Sequence, residues 1–206
     1  MKRTVVVALA LCLLSSAALA GDGRHAGQWI ARAGVGGVFP DSDNLTVPGI
    51  GTIEADEAYA LTLTGAYMIT DSVSVELLAS SFWTHDVNLK GVGQIGEVKQ
   101  LPPTLSLQWH TPAIGRLHPY LGVGVNWTIF FDEETQGPIA GTKLSVGNSV
   151  GIAAQVAADY DINDKWLLNA DLRWINIESD VKLDGLKLGT ATIDPWVFSV
   201  NVGYKF

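Results

Sequence analysis

The sequence predicts an all-β chain: an eight-stranded antiparallel transmembrane β-barrel with short periplasmic turns and long extracellular loops. Three observations carry this. First, the last eleven residues alternate, with Trp196, Phe198, Val200, Val202, Tyr204 and Phe206 apolar or aromatic and Ser199, Asn201, Gly203 and Lys205 small or polar between them. Period-two alternation marks a strand with one apolar and one polar face. In water an uncovered terminal strand of this kind invites aggregation, whereas in a membrane barrel its apolar face meets lipid. Second, eight alternating segments follow one another, joined by connections that are alternately long and short. Third, the aromatic residues of the apolar faces stand at the segment ends, where a membrane barrel carries its two interfacial girdles.

The amino terminus sets the compartment. Lys2 and Arg3 precede an apolar run from Val5 to Leu14, and small residues ending in Ala18-Leu19-Ala20 follow, so residues 1–20 read as a secretory signal peptide cleaved before Gly21. The run falls short of the roughly 20 residues a helical span needs. Cys12, the one cysteine, lies inside it, so residues 21–206 hold neither disulfide nor thiol chemistry. Loss of Lys2 and Arg3 takes the formal net charge from −8 to −10, which excludes nucleic acid as an expected partner. Residues 21–206 suit one domain, and they contain no helical run of about 20 apolar residues, which excludes an α-helical membrane protein.

In chain order, the first strand runs from Gln28 to Phe39, with Trp29, Ala31, Ala33, Val35 and Phe39 outward. Pro40 to Glu57 reads as a long loop. Ala58 to Met68 is the second strand, Thr70-Asp71-Ser72 a tight turn, and the third strand faces Val73, Val75, Leu77, Ala79 and Trp83 outward and Phe82 inward. After a long connection from His85 to Val98, the fourth strand spans Lys99 to His110 and contains Pro102 and Pro103. Proline gives no N–H to a ladder, so the pairing opens or bulges there. The fifth strand, Leu117 to Phe131, follows a short turn and precedes a long connection, Asp132 to Leu144. The sixth carries Val150 to Tyr160, the seventh Trp166 to Trp174, and a last long connection, Ile177 to Ile193, leads to the terminal strand. Aromatic pairs such as Tyr59 and Tyr67, or Trp166 and Trp174, are eight residues apart, roughly 20 Å along a tilted barrel axis and close to the height of the apolar band.

A secreted soluble barrel also alternates, but with its apolar faces inward. Against that reading, the apolar faces here carry no charge, while the sparse faces carry Arg32, Glu76, Asp159, Asp171, Arg173 and Lys205. Opposite charges in a narrow lumen suit a paired plug better than a solvent face.

Four segments resemble the OmpW family of small outer-membrane β-barrel proteins: residues 100–110 (QLPPTLSLQWH), 119–131 (PYLGVGVNWTIFF), 166–174 (WLLNADLRW) and 194–206 (DPWVFSVNVGYKF). The resemblance covers essentially the whole chain after the signal peptide and leaves out the extracellular loops. It implies location in the outer membrane and a lumen too narrow and too blocked for a water-filled pore, with an apolar pocket near the outer end. It implies that small hydrophobic solutes enter this pocket and leave sideways through a gap in the wall into the bilayer. Pro102 and Pro103 supply a physical basis for such a gap, and a simple bulge that curves the barrel is the alternative. The expected ligand-binding residues are Phe82, Leu101, Pro102, Pro103 and Phe130, with Val47, Ile50, Val92, Ile95, Leu183, Leu186 and Leu188 from the loops. Apolar loop side chains either bind something or pack together to stiffen the loops.

Signals for chemistry are sparse. His25, His85, His110 and His118 are scattered, and no nucleophile elbow, metal-spaced cluster or phosphate-cradling glycine loop occurs. His85-Asp86 beside Ser80 and Ser81 is the one grouping an enzyme acting on lipid could use, and a solvated pair at a loop mouth explains it as well. No cofactor, metal or catalytic residue is expected. The expected function is passive uptake of small hydrophobic molecules; a structural or receptor barrel without transport is the alternative. Expected partners are outer-membrane lipid, hydrophobic solutes and the barrel-assembly machinery, the last through Tyr204 and Phe206.

Overall fold

The computed structural model describes residues 24–206; the signal peptide expected over residues 1–20 lies outside them. In chain order the strands are β1 (Trp29–Phe39), β2 (Leu45–Val47), β3 (Gly51–Ala55), β4 (Ala58–Met68), β5 (Val73–Ser80), β6 (Trp83–Leu89), β7 (Gly93–Leu101), β8 (Thr104–His110), β9 (Leu117–Thr135), β10 (Leu144–Val146), β11 (Ser149–Asp161), β12 (Trp166–Ile175), β13 (Glu178–Leu183), β14 (Leu186–Thr192) and β15 (Trp196–Lys205). The wall runs β11-β12-β15-β1-β4-β5-β8-β9, all antiparallel, and β9 pairs back onto β11. The ladder therefore closes into an eight-stranded barrel.

Orientation of the side chains decides between lipid and water. Along β4, Tyr59, Leu61, Leu63 and Tyr67 are exposed, while Thr62, Thr64 and Ala66 are buried. The same holds on β9, where Leu121, Val123, Val125 and Trp127 face out and Tyr120, Asn126 and Thr128 face in. A wall greasy outside and polar inside is stable only where hydrocarbon surrounds it. Both aromatic girdles are present. Trp29 packs tilted against Tyr67 with ring centroids 4.9 Å apart, and Trp166 meets Tyr204 at 5.0 Å and Tyr204 meets Phe206 at 4.8 Å edge-on, all near the short turns. At the other end Phe39 meets Tyr59 at 6.1 Å and Phe82 meets Phe131 at 5.1 Å.

Three sequence expectations are corrected here. The four long connections are built largely of strands. β2, β3, β6, β7 and the far end of β9 extend one side of the wall beyond the girdle, and β10, β13 and β14 form a separate three-stranded sheet beside it. The apolar alternation in these segments is short and interrupted by glycines, which masked it. The β13–β14 hairpin shows the turn chemistry: Asp184 and Gly185 take φ of 49° and 82°, the left-handed pair that a tight hairpin needs, between the paired Leu183 and Leu186.

The fourth strand is two strands, β7 and β8, with Pro102 and Pro103 between them. The third strand is likewise broken at Ser81–Phe82, which restarts the alternation and exchanges the faces of two neighbours. Trp83, expected outward, is buried with 1% exposure, and Phe82, expected in the pocket, is 59% exposed on the lipid side.

Candidate functional site

The six lumen charges converge, and with them two that the sequence reading missed. Arg32 grips Asp159 with two hydrogen bonds, of 2.9 and 2.7 Å, and reaches Glu76 at 3.1 Å. Glu76 accepts a second guanidinium, Arg173, at 2.9 Å, and Arg173 also approaches Asp171 at 3.4 Å. Arg24 joins Asp159 at 2.9 Å to Asp161 at 3.3 Å, and Asp161 accepts Lys205 at 2.6 Å and His118 at 3.1 Å. One chain of alternating charge thus crosses the lumen from β12 to the inner end of β15, with the Arg32 guanidinium also 5.4 Å above the Tyr120 ring. Neutral amides fill the remaining valences: Asn169 donates to Asp159 at 2.9 Å, and Gln155 bonds both Glu76 and Asp171. Arg24 and Asp161 escaped notice because they sit just outside the clearly alternating segments.

Beyond this plug, toward the long connections, the interior turns apolar. Val38, Ala58, Trp83, Ala153, Ile175, Ile177, Ile193 and Val197 pack across the lumen. Above them a cavity of about 140 Å³ opens between the two extramembrane sheets. Ile53, Val87, Leu89, Ile95, Val98 and Phe130 line it from one sheet, and Leu144, Val146, Val181, Leu183, Leu188 and Ala191 from the other. Of the expected pocket residues, Phe130, Ile50, Ile95, Leu183 and Leu188 line it. Val47 packs in the adjoining cluster with Leu45 and Val181, whereas Val92 and Leu186 are exposed near the hairpin turns. Leu101, Pro102 and Pro103 lie below the cavity in the wall, and Phe82 lies outside it.

Two polar side chains reach the cavity floor and satisfy each other. The His85 ring places Nδ1 at 2.6 Å from the Asp56 carbonyl and Nε2 at 2.9 Å from the Gln100 amide nitrogen. With Nδ1–H donating to Asp56, Nε2 accepts from Gln100, which is the neutral ring. His85 stands beyond the Phe82–Phe131 level, where outward side chains change to Thr84, Lys99 and Asp132. Burial there holds its pKa below the ordinary imidazole value, so the floor carries no charge. The His85-Asp86 pair does not face one ligand: Asp86 is exposed and accepts from Gln94 at 2.7 Å.

The wall beside this floor has a seam. β5 pairs with β8 up to Leu78↔Thr104, and β6 pairs with β7 from Trp83↔Gln100 outward. Between these limits Ala79–Phe82 face Leu101–Pro103 without a ladder pair. Each lip is held from behind, since the Ser81 N–H donates to the Leu61 carbonyl at 2.9 Å and the Trp127 N–H to the Pro103 carbonyl at 3.0 Å. Asn126 Nδ2 further supports the Pro102 carbonyl at 3.2 Å. The irregularity lies on the β5 side, where four residues face three and the register slips by one, as at a bulge, while β9 keeps a single register past both prolines.

At the carboxy terminus, Phe206 is 71% exposed and its N–H donates to the Trp29 carbonyl at 2.9 Å, while Tyr204 sits half-buried between Trp166 and Phe206.

Known proteins share this architecture. The chain is 38% identical over 215 residues to outer membrane protein W of Escherichia coli, covering all of both chains. It is 29% identical over 218 residues to the dibenzothiophene metabolism operon protein PahQ of Pseudomonas aeruginosa, covering 100% of this chain and 99% of that one. The crystal structure of the outer membrane protein OprG from Pseudomonas aeruginosa superposes with a TM-score of 0.76 at 32% identity, over 89% of this chain and 98% of that chain. With the OmpW family model matching residues 25–206, the barrel built around this plug, cavity and seam belongs to the OmpW family of outer-membrane proteins.

Proposed function

We propose that this barrel is a passive entry route for small hydrophobic molecules, which leave water for the outer cavity and pass sideways through the seam into the bilayer. The observation that carries the reading is the stacking of three features: an almost wholly apolar cavity, a wall seam next to its floor, and an ion-paired plug closing the lumen below. A solute in that cavity has a charged barrier ahead and hydrocarbon beside it. Apolar transfer supplies the driving force, and no bond is made or broken. A volume of about 140 Å³ suits one compact solute, since an apolar cavity of about 150 Å³ holds a benzene molecule. The name of the relative PahQ, tied to dibenzothiophene metabolism, agrees with an apolar cargo.

The test compares entry of a medium-chain alkane and of a small sugar into cells with and without the protein, at matched outer-membrane levels. Faster alkane entry with unchanged sugar entry is the expected result. No change in either would sink the uptake reading and favour a structural or receptor barrel.

The terminal aromatics carry a separate proposed role, recognition by the barrel-assembly machinery. Phe206 projects from the last strand while its backbone already closes onto β1, so its ring, packed against Tyr204 and 71% exposed, still offers an apolar face to an assembly partner. Deletion of Phe206 is expected to lower the amount of folded protein in the outer membrane; an unchanged amount would defeat the assignment.

A further inference from the structure

We infer that Trp83 is the gate between the cavity and the seam, an assignment that rests on the uptake reading above. Trp83 pairs with Gln100, and Gln100 with Phe130, so the three residues share one level of the wall. Gln100 and Phe130 line the cavity floor, and the seam begins one residue lower, at Phe82 opposite Leu101. A solute moving from floor to seam must therefore cross the level that the indole occupies. The indole reaches well across that level: its far edge lies 3.2 Å from where a β-carbon on Gly36 would stand, two wall strands away on β1. Glycine at position 36 leaves room for the ring.

The attachment of the ring distinguishes a gate from a fixed floor. Its N–H donates to Ser80 Oγ at 2.7 Å, and Ser80 is on the lip of the seam, paired with Thr62 of β4 but with nothing across the gap. The neighbouring Phe82 points outward and packs on Phe131. Successive aromatic side chains thus bracket the opening, one on each side of the wall, and the inner one, packed in the apolar cluster of the lumen, has its indole N–H bonded to a stretch of backbone that pairs on one side only. Breaking that bond lets the indole turn and joins the cavity to the seam. A buried donor needs a partner, so the bond also returns the ring to the closed position.

The experiment measures alkane and sugar entry in cells carrying wild type, Ser80→Ala, Trp83→Phe or Trp83→Ala at matched levels of folded protein. Ser80→Ala and Trp83→Phe both remove the tether, and alkane entry should rise about two- to tenfold, the range of one hydrogen bond. Trp83→Ala should do at least as much. Sugar entry should stay at background because the ion-paired plug is untouched. Should Trp83→Ala fail to assemble, Ser80→Ala, which loses one hydroxyl, still decides the matter. Wild-type entry with unchanged or slower rates in Ser80→Ala and Trp83→Phe would overturn the gate alone. Absence of alkane entry with the wild type would overturn both readings.

Discussion

Replacing Glu76 by alanine should destabilise the folded barrel by about 3–5 kcal/mol, the range for removing one partner of a buried ion pair. Glu76 is 1% exposed and accepts from Arg173 at 2.9 Å, Arg32 at 3.1 Å and the Gln155 amide at 3.2 Å. Its loss leaves two guanidiniums in a sealed lumen. Each keeps one carboxylate, Asp159 for Arg32 and Asp171 for Arg173, but neither carboxylate can absorb the second charge. Glu76→Gln, which retains the shape and an acceptor, should cost less. Urea unfolding in lipid vesicles, with the midpoint converted through the measured slope, reads the difference. A cost below about 1 kcal/mol for Glu76→Ala would show that the plug is loose or wet and does not close the lumen.

Pro103→Arg should abolish hydrophobic entry while leaving the barrel folded. Pro103 lies on the β8 lip of the seam with its carbonyl bonded to Trp127 N–H at 3.0 Å, a bond that arginine can also make. Because proline contributes no N–H, no ladder bond is lost. What changes is the gap itself: arginine brings a guanidinium into a passage whose lips, Ala79–Phe82 and Leu101–Pro103, carry no charge, and its new N–H can pair across to the opposite lip. Both effects close a route for apolar solutes. Alkane entry should fall to the level of cells lacking the protein, with the amount and heat resistance of the folded barrel unchanged. A folded Pro103→Arg protein that still conducts alkane normally would remove the lateral route from consideration.

Much of this architecture was legible in the sequence because a membrane barrel obeys a simple local rule. Each wall strand must alternate between lipid and lumen, so Trp196 to Phe206 announces its own two faces without reference to any other segment. The same rule placed Arg32, Glu76, Asp159, Asp171, Arg173 and Lys205 inside, because no charge can face hydrocarbon cheaply. The long connections were less readable. Val87, Leu89, Ile95 and Val98 alternate only in short runs around Gly91, Gly93 and Gly96, and nothing local says that they face Val181, Leu183 and Leu188 across a cavity.

Alternation fails where the backbone breaks register. Phe82 and Trp83 are adjacent aromatics, and period two assigns one of them inward whatever happens at Ser81. Which one is inward depends on how far the strand has bent, and that depends on the missing ladder opposite Pro102 and Pro103. The diproline itself could be read as a bulge or an opening from sequence alone, because proline reports only the bond it cannot make.

What the sequence by itself determined is the set of properties that follow from local periodicity and solvation: strand number, inward and outward faces, the girdles, and the lipid setting. Only the tertiary structure decided which charges meet in one network, that two extramembrane sheets enclose an apolar cavity, and that Trp83 rather than Phe82 is the aromatic turned into the lumen. Those facts depend on pairing register between segments far apart in the chain, and a one-residue shift of register exchanges the two faces of a strand.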